Sequence, residues 1–492
     1  MNSSAALPAR NPRIVIIGAG MSGILAFIKL RDNGYEDVVI YEKADRVGGT
    51  WRENTYPGLT CDVPSHNYSY SFELNPDWSH RFSEGKEIYA YFLRVARKYH
   101  VIPAIRFNEE VMTCVFDDGK WHLETRSGTR DTADILIAAP GPLHHPKYPD
   151  IEGLYEFEGA LFHSARWDHS VPLDGRRVGV IGNGSTGAQI VSALAGRPSH
   201  LEHFQRTAQW VIPDVNPEFT EAEKAKFRAD PAALSSLHND PEWLQRNRVF
   251  SYAITHPDSE EMHAIERICL DNLENSVADP VLREKLRPNY RAVCKRIVIS
   301  PDYYQKVQLP NVDVVTDPIE RIEAKGIRTK DGKLHALDVL ALATGFKADQ
   351  FLRPMHIIGR NGVNLEQFWK LRPTAYLAMS IANFPNLFIL NGPGAPVGNF
   401  SLIGIAEDQM GYLLQLLELY RTGQYREISA TGEAMRDFEA ERLEQSKRTI
   451  YATGCKSWYL GADGLPSIWP WPYDRFAEEM ARPKLQHYEL VS

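Results

Sequence analysis

Two stretches of the sequence set glycines where a phosphate could lie, and each is followed by a residue able to read a ribose. In RIVIIGAGMSGILAFIKLRDNGYEDVVIYEK, Gly18, Gly20 and Gly23 form GxGxxG, and Glu42 stands nineteen residues after Gly23. In RRVGVIGNGSTGAQIVSAL, Gly182, Gly184 and Gly187 repeat the spacing, with Ser185 and Thr186 inside it, and Arg206 stands nineteen residues after Gly187. Glycines let backbone approach a pyrophosphate at a helix N-terminus. A carboxylate at Glu42 accepts from an unphosphorylated ribose, as FAD presents. An acid at position 206 would repel a 2′-phosphate, whereas a guanidinium can grip it in a bidentate way. The pair therefore predicts a flavoprotein with FAD in the first site and NADPH in the second. GGTWRENTYPG follows Glu42 closely. Its Gly48 and Gly49 would let backbone lie near a flat ring, with Thr50 beside them and Trp51 as a flank.

A third cluster is FEGALFHSARWD, residues 157–168, with His163, Arg166 and Asp168 within six positions. Those residue types could do acid–base chemistry or simply pack a loop, and the stretch has no clear helical or strand period. Metal chemistry is not expected, because His144, His145 and the other histidines lack ligand spacing. The five cysteines are odd in number and include no CxxC. That argues against a disulfide framework, a cysteine zinc site and a dithiol redox site.

These residues need elements to hold them. Residues 13–17 and 38–41 read as buried strands around an apolar helix, and 178–181 opens a second unit of the same kind. DILIAAPG (134–141) and DVLALATG (338–345) read as later strands of the two sheets, and FPNLFIL (384–390) as a further one. PLHHPKYPDIEG is a Pro-rich linker. TEAEKAKF carries Thr220 and Glu223 at capping-box spacing, and DPVLREKL has Asp279 as N-cap with Pro280 after it. The fold class is α/β: two Rossmann-like dinucleotide-binding domains, each discontinuous. The expected boundaries are 1–145 with 380–492 for FAD, 146–215 with 291–379 for NADPH, and 216–290 as a helical insertion. The chain is 492 residues with 43% hydrophobic residues and a net charge of −8, ample for several cores and unsuited to nucleic acid or anionic membranes as general partners. The start, MNSSAALPARNPR, has no apolar segment and reads as a loose tail. A cytoplasmic setting is expected.

The chain resembles the Baeyer–Villiger monooxygenases. FEGALFHSARWD fits their FxGxxxHxxxW(P/D) pattern at Phe157, Gly159, His163, Trp167 and Asp168. GGTW, YPG, CDVPSHNYSYSF, CKR, DYYQKVQLPNV, ATGF, GPGAP and SWYLGA extend the likeness to phenylacetone and cyclohexanone monooxygenases along nearly the whole chain. The resemblance implies an NADPH- and O2-dependent enzyme that converts ketones to esters or lactones through a C4a-peroxyflavin and a Criegee adduct, with sulfide oxidation as a side activity. It implies a catalytic Arg296 in the pair Lys295-Arg296, oriented by Asp62. Lys295 and Thr207 would join Arg206 at the 2′-phosphate. His163 would serve domain position rather than proton transfer, and Trp458 and Tyr459 would lie near the substrate. Trp469 and Trp471 are expected between the domains. The chain departs from close relatives in having Arg52 after the tryptophan of GGTW. A monomer or weak homo-oligomer is expected. The rival is an N- or S-oxygenating flavin-containing monooxygenase, which would need neither Arg296 with Asp62 nor Trp167-Asp168.

Overall fold

The computed structural model describes residues 10–398, 400–461 and 463–492. Most of the expected N-terminal tail, residues 1–9, lies outside them. Two five-stranded, wholly parallel sheets dominate. The first has the order Leu387–Ile389, Ile135–Ala138, Ile14–Ile17, Val38–Tyr41, Ile105–Arg106. The second has the order Val312–Val315, His200–Phe204, Arg177–Ile181, Val339–Leu342, Ala160–His163. The central strands are buried along their length, IVII at 14–17 and VGVI at 178–181. That is the pattern of parallel strands covered on both faces. In each unit a helix returns from the central strand to its neighbour, Met21–Asp32 in the first and Ser185–Leu194 in the second.

Each unit also carries a three-stranded antiparallel appendage just before its next sheet strand. These are Val111–Asp117, Lys120–Thr125 and Arg130–Ala133 in the first unit, and Ile319–Glu323, Gly326–Thr329 and Leu334–Ala336 in the second. His356–Ile358 adds a parallel strand to the first appendage. Leu352, Ile357, Leu365 and Trp369 belong to the first core, so the chain has rejoined the first unit well before the expected residue 380. The long helix Leu402–Arg421 buries Ile403, Ile405, Met410, Leu413 and Leu417 in that same core. Trp469 and Trp471 pack there too, against Phe438, so they are not spacers between units.

The segment expected to be a helical insertion forms five helices between Glu221 and Lys285. The capping box is present: Glu223 N donates to Thr220 Oγ1 at 3.2 Å, and Thr220 N to Glu223 Oε2 at 2.7 Å. Asp279 caps the last helix through Val281 N at 2.9 Å. Ala253, Ile254, Met262 and Cys269 of this segment form a separate core with Cys294, Ile297, Ile450, Tyr451, Cys455 and Tyr459. Among the described residues no helix is long and apolar enough to cross a membrane.

Two further expectations need correction. Cys294 and Cys455 form a disulfide, with their Cα atoms 6.1 Å apart across a sequence separation of 161. An odd cysteine count rules out complete pairing, not a single pair, and nothing local in the sequence brings those two residues together. The second correction concerns residues 157–168. They are not a loop without regular structure: Ala160–His163 is the edge strand of the second sheet, paired with Val339–Leu342, and Ser164–Arg166 is a 3-10 turn. Four residues with no alternation of polarity gave the strand no legible period.

Candidate active site

The two glycine loops leave their helix ends open. Neither Met21–Asp32 nor Ser185–Leu194 has a side-chain cap or an acid in its first turn, unlike the capped helix at Thr220. The positive ends of both dipoles and their first N–H groups are thus free to meet an anion. The glycines make the loops possible. Gly18 runs at φ +100°, and a Cβ there would press on Ala139 O at 2.6 Å; one on Gly23 would overlap the Gly18 carbonyl. Gly182 and Gly187 reproduce that pair. Gly20 lies back to back with Gly49, whose Cβ would come within 3.0 Å of the Gly20 Cα. Between Gly20 and Gly49 the cradle is therefore backbone against backbone, which leaves room for a flat or phosphorylated group.

Glu42 ends its strand buried beside the first loop. Its Oε2 accepts from Ala19 N at 2.8 Å, and its Oε1 accepts from Ala44 N at 2.9 Å. Arg52, nearly buried, pairs with Glu42 at 3.3 Å and with Glu53 at 2.9 Å. The departure from the family pattern at position 52 was the signal for this pair, whose geometry only the fold reveals. Thr50 opens a short helix over 50–53. Trp51 turns toward the first core and donates to Tyr68 Oη at 3.0 Å.

In the second unit Arg206 is exposed just past the strand His200–Phe204, and Asn183 Nδ2 ties the glycine loop to Thr207 O at 2.7 Å. Lys295 Nζ lies 4.2 Å from the centre of the Tyr290 ring. Burial lowers the Lys295 pKa, and the nearby positive charge of Arg206 lowers it further. Among the described residues neither cation has a carboxylate at ion-pair distance. Two neighbouring cations without a counter-charge form a ready anion site.

Arg296 is held where the units meet. Its Nε and Nη2 both donate to Asp62 Oδ2, at 3.1 and 2.7 Å, and its Nη1 donates to Gly398 O. Burial disfavours its charge, but Asp62 and the neighbouring Tyr459 outweigh that and raise its pKa above the usual arginine value. Gly398 and Tyr459 were not singled out as partners of Arg296 in the sequence, because no local spacing links them to it. The loop carrying Asp62 is itself fastened to the second unit. Tyr56 Oη donates to Gln189 Oε1 at 2.9 Å, and Gln189 Nε2 donates to Thr60 O at 3.0 Å.

The fingerprint residues lie elsewhere. His163 is fully buried; its Nδ1 accepts from Ala165 N at 3.1 Å, which leaves Nε2 to donate to Gly345 O at 3.0 Å. Burial pushes its pKa down to about 4. A neutral imidazole with both nitrogens bonded to backbone is a fastener, not a proton shuttle. Gly345 belongs to one of the two connections between the units: Lys147 N donates to Gly345 O, and Lys347 N to His145 O, both at 2.9 Å. Phe157 is buried against the second appendage, and Gly159 leaves room for Asp338 O. Trp167 packs edge-on to Phe162, and Asp168 caps a turn through Ser170 N at 2.9 Å. Arg166 reaches Glu53 at 3.3 Å and His169 reaches Thr55 at 2.8 Å, so the stretch touches the GGTW loop of the first unit. His200, Glu202 and Asp313 on the second sheet place ligand-type atoms within 4.8 Å of one another; His200 Nε2 lies 3.2 Å from Asp313 Oδ2 and 3.6 Å from Glu202 Oε1.

The pyridine nucleotide-disulphide oxidoreductase family matches residues 15–233. A monooxygenase of Mycobacterium tuberculosis is 44% identical over 98% of this chain and 97% of its own length. A Baeyer–Villiger monooxygenase of Streptomyces coelicolor is 38% identical over 97% of this chain and 92% of its own. Cyclohexanone monooxygenase from Rhodococcus, solved with NADP+, superposes with a TM-score of 0.87 at 30% identity, covering 99% of this chain and all of that one. OTEMO, solved with FAD and NADP, superposes at 0.88 with 26% identity over 99% of this chain and all of that one. Two parallel nucleotide sheets, two uncapped glycine loops and full-length likeness to these enzymes lead to one conclusion: the chain belongs to the FAD- and NADPH-dependent Baeyer–Villiger monooxygenases.

Proposed function

We propose that the enzyme inserts one oxygen atom of O2 into a small-molecule ketone, giving an ester or lactone, and that it oxidises sulfides as a side activity. The observation that carries this reading is Arg296, a permanent cation fixed by Asp62 and Gly398 at the junction of the two units. FAD and NADPH, when bound, supply oxygen activation and the hydride. Gly18, Gly20 and Gly23 with Glu42 and the Gly49–Trp51 turn would hold FAD. Gly182, Gly184, Ser185, Thr186 and Gly187 would hold the NADPH pyrophosphate, and Arg206, Thr207 and Lys295 its 2′-phosphate. Those residues fit because both helix ends are open and, among the described residues, both cations lack an acid at ion-pair distance.

The chain's own part in the chemistry is electrostatic. As the ketone carbonyl is attacked, negative charge gathers on its oxygen, and a preorganised cation lowers that barrier without reorganising. Arginine keeps its charge at any working pH. Asp62 orients the guanidinium and could let it turn between cofactor and ketone. His163 takes no proton; it fixes the connection at Gly345. In an Arg296→Ala enzyme, anaerobic NADPH should still bleach the bound flavin while ester formation from a ketone panel disappears. Ester formation at the normal rate would overturn the assignment.

A further inference from the structure

The disulfide lies against the proposed catalytic cation. Cys294 is two residues before Arg296, and Cys455 is four before Tyr459, the side chain that faces both Arg296 and Gly398. We propose that Cys294 and Cys455 form a reversible thiol–disulfide site whose closed state braces Arg296 and the aromatic wall beside it. This rests on the reading of Arg296 given above.

The bond closes a circuit. One arm runs from Cys294 to Arg296, and the other from Cys455 through Trp458 to Tyr459. Asp62 and Gly398, from the first unit, fix Arg296 from the far side. Both cysteines share a core with Tyr451 and Tyr459, and the rings of those tyrosines meet edge to face at 4.9 Å. Once the bond opens, the segment around Cys455 loses this covalent tie to the residues before Arg296. The remaining cysteines, Cys61, Cys114 and Cys269, are buried and unpaired. Burial raises the pKa of each, which keeps them as inert thiols.

Access favours attack at Cys455. Its own sulfur is shielded, but Ala452, Thr453, Gly454 and Lys456 around it are exposed, and Gly454 runs at φ +103°. Cys294 is fully buried. A thiolate of a small dithiol attacks the Cys455 sulfur; the S–S bond breaks, and Cys294 leaves as a thiolate that takes up a proton. The second thiol of the reductant then displaces Cys455 as a thiolate, which is also protonated. The enzyme gains two thiols and the dithiol becomes a cyclic disulfide. Reoxidation reverses this with a small disulfide as the two-electron acceptor.

The test uses FAD-loaded enzyme, untreated or reduced with dithiothreitol. Thiol alkylation under denaturing conditions should count three thiols before reduction and five after. Trypsin cleavage after the exposed Lys456 should speed up at least tenfold on reduction. Ketone turnover should become less coupled, with peroxide release per NADPH rising severalfold while NADPH still reduces the flavin. A Cys455→Ser enzyme should behave as reduced with or without dithiothreitol; a Cys294→Ser enzyme gives the same comparison from the other side. Five thiols in untreated, oxidant-exposed enzyme would overturn the site. Three thiols with unchanged Lys456 cleavage and unchanged coupling on reduction would overturn the brace. If no ketone is converted in either state, the functional reading fails, and the thiol count and the cleavage rate still decide the clamp.

Discussion

Nε and Nη2 of Arg296 both point at a single oxygen of Asp62, Oδ2, at 3.1 and 2.7 Å. Side-on pairing of this kind needs the guanidinium plane, and one ammonium cannot reproduce it. Arg296→Lys keeps the charge and loses the fork. Ketone turnover should fall on the order of 100-fold, about 3 kcal/mol of transition-state stabilisation. Stopped-flow measurement of anaerobic flavin reduction should show much less change. Asp62→Asn should lower turnover with Arg296 still present, by roughly tenfold. Wild-type rates in both variants would detach this pair from catalysis.

Arg206 and Lys295 stand close together, with no acid at ion-pair distance among the described residues. Arg206→Ala should raise the KM for NADPH at least tenfold, about 1.4 kcal/mol, and leave that for NADH nearly unchanged. Steady-state kinetics with both nucleotides checks this. Equal effects on the two would mean that no 2′-phosphate contact exists.

The paired glycine loops allow a differential experiment. A Cβ on Gly23 would overlap the Gly18 carbonyl, and one on Gly187 would overlap that of Gly182. Gly23→Ala should yield protein that loses its yellow flavin during purification. Gly187→Ala should stay yellow but reduce its flavin slowly with NADPH. Absorbance spectra of the two purified proteins separate the outcomes, and identical spectra would refute the division of labour.

His163 gives the stability a pH signature. Burial depresses its pKa from 6.5 to about 4, so below pH 6.5 the unfolded chain binds a proton that the folded chain refuses. The contribution is complete above pH 6.5 and is lost as the pH falls toward 4. At most it is worth roughly 3 kcal/mol. Buried His203, also brought down to about 4, adds to the same window. Thermal unfolding should show Tm falling between pH 6.5 and 4, and falling less steeply in a His163→Gln enzyme. Parallel curves for the two proteins would remove His163 from the account.

Much of this protein was legible before folding because nucleotide binding is a local matter. Gly18 to Glu42 and Gly182 to Arg206 each lie within one strand–helix–strand unit, so spacing carries the geometry. Arg296, Asp62 and Gly398 come from three distant segments, and only likeness to a family joined the first two. Gly398 had no such guide, and the likeness put Tyr459 near the substrate without joining it to Arg296. The disulfide was missed for the same reason, since its partners are 161 residues apart. The strand Ala160–His163 escaped because an edge strand four residues long needs no alternation when its register is set by a neighbour, Val339–Leu342.

The order of strands in the first sheet has a consequence for how the chain is made. Its outer strand, Leu387–Ile389, pairs with Ile135–Ala138, yet every strand of the second sheet has already been synthesised by residue 342. On the ribosome the later-starting unit has all its strands first. The earlier unit, with its cradle at Gly18 to Gly23, waits with one sheet edge open until the chain comes back.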